Sequence, residues 1–155
     1  MLKKIFALTL FLFLSACGYE AIHSKKNSIN YDFTISKLTF IGNRDINLKI
    51  KEKLNNYTLT KKDKSFQLRV SSTNEKLVLA KDISGDPTSF KSTIIITVQV
   101  FIEGSLKNDL QITENFNYNN NSNKFNLKRY EKEIINNLAE TVADKLIFKL
   151  SNIQR

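Results

Sequence analysis

Leu14, Ser15, Ala16 and Cys17 follow one another at the end of an apolar run, and here residue type and spacing together specify a chemistry. A branched residue, two small residues and an obligatory cysteine make a lipobox. The thiol is the nucleophile that takes a diacylglycerol as a thioether, and cleavage just before the cysteine exposes an amine for a further acyl chain. Each buried methylene adds about 0.8 kcal/mol and one chain alone holds only marginally, so several chains make attachment effectively permanent. Cys17 is the single cysteine of the sequence, so no intramolecular disulfide competes for its sulfur.

The preceding segment has the form such a cysteine requires. Lys3 and Lys4 give a short basic start, and from Ile5 to Leu14 only Thr9 is polar. About 20 apolar residues are needed to cross a hydrocarbon core, so this run is a secretory signal, not a span. The expected organisation is a signal peptide over residues 1–16, a lipidated tether over 17–30 and one domain over 31–155, short enough to share a single core. Without a second cysteine, that core has to hold the fold in an oxidising envelope compartment.

The chain has 24 Lys and Arg against 15 Asp and Glu, a formal charge of +9, of which the two signal lysines supply a part. A basic balance points to acidic partners, and export excludes nucleic acid, leaving phosphorylated lipids, lipopolysaccharide, an acidic protein or peptidoglycan. AT-rich codons supply the same lysine, asparagine and isoleucine, so charge alone does not choose among these.

Further chemistry is sparse. His23, the only histidine, lies in the tether, so neither a catalytic triad nor a histidine-based metal site can be built. Glu103, Asp109 and Glu114 sit near turns or strand ends and read as solvated surface. Ser84-Gly85-Asp86 lacks the glycine pattern of a nucleophile elbow, and no phosphate-cradling glycine loop occurs. The reading is a protein that is not an enzyme and uses no cofactor or metal.

The elements that carry this anchor follow from periodicity. Tyr31 to Ile41 is rich in aromatic and β-branched residues and predicts a strand, closed by Gly42-Asn43. Ile46, Ile50, Leu54 and Tyr57 recur at helical spacing behind a capping Asn43, predicting a helix from Arg44 to Asn56. Phe66, Leu68 and Val70 alternate with polar residues and begin a strand that runs on to Ala80. The segment from Lys81 to Pro87 is a turn, and Thr88 to Glu103 is a second long strand, with Ile94, Ile96, Val98, Val100 and Ile102 on one side. Gly104 to Asn108 turns the chain into a third run through Phe116, and Asn117 to Asn126 reads as a solvated loop. From Leu127 to Leu150, Tyr130, Ile134, Leu138, Val142, Leu146 and Leu150 form a helical stripe, widened by Ile135, Ala139, Ile147 and Phe148. The expected fold is α+β: a two-layer sandwich of about four mostly antiparallel strands, with both helices on one face and the first two strands able to lie parallel.

The Cys17-Gly18-Tyr19 junction, a mature length of about 140 residues and the order strand, helix, three strands, helix together resemble the LPS-assembly lipoprotein family, LptE. The similarity extends to the hairpin LVLAKDISGDPTSFKSTIIITVQV and to the C-terminal amphipathic helix. The high lysine and asparagine content and the asparagine segment before the last helix depart from the family. The resemblance implies an outer-membrane lipoprotein on the periplasmic side that sits in the lumen of an LptD-type β-barrel and helps deliver lipopolysaccharide, by binding and not by catalysis. Gly18, where an aspartate would signal inner-membrane retention, agrees with onward sorting. No family binding residue transfers by motif; the lysines around the hairpin turn, Lys76, Lys81 and Lys91, are the expected contacts to the glycolipid phosphates. The competing reading is an accessory lipoprotein of another envelope machine for barrel assembly or secretion.

Overall fold

The computed structural model describes residues 32–153; the signal segment, Cys17, His23 and the tether lie outside the described residues. Strands β1 (Thr34–Gly42), β2 (Ser65–Lys81), β3 (Pro87–Ile102) and β4 (Ser105–Asn119) form one sheet in the order β1-β2-β3-β4. Helices α1 (Arg44–Leu54) and α2 (Lys124–Ser151) complete the fold. β1 and β2 are parallel and the other pairs antiparallel, so the α+β class and the helix-linked parallel pair are as expected.

The core follows from the two-residue period of β3. Phe90, Ser92, Ile94, Ile96, Val98 and Val100 are all buried, and the residues between them only partly so. Leu68 and Val70 of β2 and Ile112 and Tyr118 of β4 enter the same layer, which the two helices cover. α1 adds Ile46, Ile50 and Leu54, four residues apart and fully buried. α2 adds a stripe from Leu127 through Leu138, Val142 and Leu146 to Leu150. Two residues expected on that stripe lie off it. Phe148 is 59% exposed because it stands two positions, about 200° of helical rotation, on from Leu146. Tyr130 is 44% exposed, at the rim of the layer.

The connections are tighter than the sequence pattern indicates. Only Glu103 and Gly104 separate β3 from β4, and both have positive φ (50° and 79°), the backbone that matches a hairpin turn to the twist of its strands. The expected loop from Asn117 to Asn126 is shortened from both ends: β4 runs to Asn119 because Tyr118 pairs with Phe90 and is buried, and α2 starts at Lys124. Asn123 then caps α2, its Oδ1 accepting from the N–H groups of Phe125 and Asn126, each at 3.1 Å. α1 stops at Leu54 and tightens into a 3-10 turn, Asn55–Tyr57, whose tyrosine stacks on Phe33 at 4.8 Å.

One junction sets where β1 ends. Gly42 has φ +96°, and a β-carbon there would lie 2.0 Å from the Ser72 carbonyl oxygen on β2. The same oxygen accepts from Asn43 N–H at 3.0 Å, and the Asn43 side chain accepts from Asp45 and Ile46 to start α1. The chain leaves the sheet at this point and nowhere later. Gly42→Ala is expected to lower stability by about 3 kcal/mol in urea unfolding. Gly85→Ala, where nothing lies within 4 Å, should cost about 1 kcal/mol from its positive φ alone.

Candidate functional site

One cluster of polar side chains lies at the far end of the β2–β3 hairpin, beyond the point where β1 leaves the sheet. Lys76 pairs with Ser92 and shares its helix-facing side. Its ammonium lies 2.6 Å from Glu131 Oε1 on α2, 3.9 Å from the centre of the Phe90 ring and 6.0 Å from that of Tyr118. Tyr118 on β4 donates its hydroxyl to the same Glu131 oxygen at 2.9 Å. One carboxylate near the start of α2 thus accepts from donors on two strands that flank β3 on either side. Phe90 and Tyr130 pack on Tyr118 at 5.5 and 6.1 Å, and the Tyr118 ring is buried. Burial, the hydrogen bond to Glu131 and the charge of Glu131 all push the Tyr118 phenol well above its ordinary range.

Lys81 is exposed at the end of β2, and Lys91 lies opposite Leu77 on the face away from the helices. Neither has an ion-pair partner among the described residues. The three lysines singled out from the sequence therefore do not converge: one is paired beneath α2, one is on the opposite face and one is at the tip. The turn between β2 and β3 is built by Asp82, whose Oδ1 accepts from Ser84 and Asp86 N–H at 2.9 Å, which gives Ser84-Gly85-Asp86 a structural part. The carboxylates are likewise dispersed. Glu103 is in the β3–β4 turn, Asp109 is exposed opposite Gln99, and Glu114 faces the helix layer in an ion pair with Lys145. No group of three or more His, Cys, Asp or Glu suited to a metal occurs among the described residues.

The second feature is the sheet face that neither α1 nor α2 covers. Along β3 it presents Lys91, Thr93, Ile95, Thr97, Gln99 and Phe101, each partly buried by its neighbours. Gln67 and Arg69 of β2 and Gln111 and Thr113 of β4 flank them. Arg69 donates to the Gln99 side chain at 3.3 Å and lies 5.7 Å from the Phe101 ring centre. This face is rich in hydroxyls and carboxamides, and among the described residues nothing forms a second layer over it. Sequence reasoning missed Glu131 because it stands 55 residues from Lys76, and missed Tyr118 because the surrounding asparagines read as loop.

A single helix-backed sheet of this order defines the structural class. No protein-family model matches the sequence, nor does any curated protein. Among solved structures, rare lipoprotein B from Shewanella oneidensis has a TM-score of 0.60 at 12% identity, covering 74% of this chain and 93% of that one. A minor lipoprotein from Acinetobacter baumannii also has a TM-score of 0.60, at 16% identity, covering 78% of this chain and 91% of that one. The chain shares the fold of these bacterial lipoproteins.

The node makes two expectations. Glu131→Ala removes two hydrogen bonds at a partly exposed site and should cost about 1–2 kcal/mol in urea unfolding, with the slope unchanged. The raised Tyr118 pKa contributes stability that is fully present below the unfolded phenol's value near 10 and is lost as pH rises above it. Thermal melts from pH 8 to 11 should show a fall above pH 10 that is shallower in Tyr118→Phe.

Proposed function

We propose that the protein is a lipid-anchored lipoprotein of the outer membrane, on its periplasmic side, that partners an LptD-type β-barrel and assists assembly of lipopolysaccharide. It acts by binding and not by catalysis. Cys17 is the lipidated residue, and the tether lets the domain reach a barrel in the same membrane. The observation that carries the reading is the uncovered sheet face. A face mainly of threonine, glutamine and basic residues, with Ile95 and Phe101 among them, suits the interior wall of a large barrel, which is polar, whereas a lipid-facing surface would be apolar. The lipobox and the fold held in common with two bacterial lipoproteins support the envelope setting.

Lys81 and Lys91 are the candidate contacts to lipopolysaccharide phosphates, as ammonium groups without an ion pair among the described residues. Lys76, already held by Glu131, contributes to such a contact only through the positive potential of the hairpin.

Depletion of the protein from its native host is expected to remove lipopolysaccharide from the cell surface, read by surface labelling, while barrel proteins in general still assemble. Intact surface lipopolysaccharide would contradict the proposal. Cys17→Ser should lose incorporation of labelled palmitate, and continued labelling would remove Cys17 as the anchor.

A further inference from the structure

β2 has two halves with different neighbours. From Gln67 to Ser72 it lies between β1 and β3; from Thr73 to Lys81 its pairing among the described residues is to β3 alone. The backbone N–H and C=O of a strand residue point to the same side, and the side alternates along the chain. The Ser72 carbonyl points toward β1, where it accepts from Asn43. Those of Asn74 and Lys76 therefore point out of the sheet edge, into the lane that β1 vacates at Gly42. Ladder groups left open in this way are a template for another strand.

The side chains mark this edge off from the β4 edge. Leu77, Val78 and Leu79 are 56%, 45% and 49% exposed, and Ile83 in the following turn is fully exposed. β4, at the other side of the sheet, also exposes Leu106 and Phe116, but singly, between charged and polar residues such as Lys107, Asp109, Asn115 and Asn117 that blunt an edge. Three half-exposed apolar residues in succession on an open ladder leave apolar area on both faces, and a single extended chain laid alongside covers both.

A second copy of this chain fits poorly. In an antiparallel pair, residues that point outward must oppose residues that point outward, so a twofold axis falls on a residue. On Glu75 it opposes two carboxylates, and on Lys76 two ammonium groups, both destabilising. On Leu77 both copies run into the irregularity at Leu79, and on Asn74 they meet Ser72, whose carbonyl Asn43 already uses.

We propose that the Thr73–Lys81 edge of β2 receives an extended segment of a different polypeptide as a fifth strand. That segment is apolar opposite Leu77 and Val78 and carries a carboxylate near Lys81, which has no ion pair among the described residues. The inference goes beyond the lipopolysaccharide reading and holds whichever envelope protein supplies the strand.

The test places the photo-crosslinking residue p-benzoylphenylalanine at position 78 of the lipidated protein in its native envelope, with position 117 on the β4 edge as control. Two variants accompany it. Asn74→Pro removes an outward N–H without touching the β2–β3 ladder, and Asn74→Ala loses the same side chain but keeps the N–H. The proposal expects an adduct from position 78 that maps to an apolar, carboxylate-bearing segment of another chain, reduced about tenfold by the proline and less than twofold by the alanine. A barrel segment in the adduct supports this pairing and the proposed function together; a segment of a different envelope protein supports the pairing and counts against the barrel. An adduct between two copies, an adduct to residues 17–30 of the same chain, no adduct, or equal yields from the two variants would overturn it. If circular dichroism shows that Asn74→Pro does not fold, amide exchange of the wild type decides. The Asn74 and Lys76 amides should exchange at least tenfold more slowly in the envelope complex than in the purified protein, and unchanged exchange would overturn the proposal.

Discussion

Every second side chain of β3 from Phe90 to Val100 enters one apolar layer, and to that two-residue period the other elements are fitted. A central strand buried on one face asks for apolar partners at matching positions on both neighbours, and Val70, Val98 and Leu110 lie level with one another across β2, β3 and β4. It also asks for a cover, which α1 and α2 supply together. Each helix carries one apolar stripe, and neither is wide enough to shield a sheet of this breadth alone. The opposite face is free of that demand and is mostly polar along β3, with Ile95 and Phe101 as the exceptions.

That asymmetry links the fold to the functional reading. A sheet that is backed once and bare once presents a broad, rigid surface whose composition is not dictated by the core. At the far end of the hairpin the geometry changes again, because Gly42 takes β1 out of the sheet halfway along β2. The Lys76–Glu131–Tyr118 node lies at this end and ties β2 and β4 to α2 across Phe90, which holds the hairpin in place after β1 has gone. A partner therefore meets preformed strands and not a loose loop, which lowers the ordering cost of association.

Most of the architecture was legible in the sequence because binary patterning is strong where burial is one-sided. The alternation in β3 and the four-residue repeat of α1 each identify an element and its inward face. The asparagine segment was less legible. Asparagine is a poor strand former on average, but Tyr118 is buried by Phe90 and α2, and tertiary packing overrides local preference. The helix stripe extended too far at Tyr130, which stands at the rim of the layer, and at Phe148, which is turned about 200° away from Leu146. At the candidate site, the lipobox could be read because its chemistry is local and sequential. The hairpin lysines could be seen as charges, but not their faces, since these depend on strand register and, for Lys76, on a carboxylate 55 residues away.

The protein is proposed to work as the stoichiometric partner of a large outer-membrane barrel. The most direct measurement is the mass and composition of the complex recovered when the tagged, lipidated protein is extracted from its native envelope in mild detergent. The account predicts one copy of this chain with one LptD-type barrel, stable through size exclusion. Recovery of the protein alone, or with the components of another envelope machine, would contradict it.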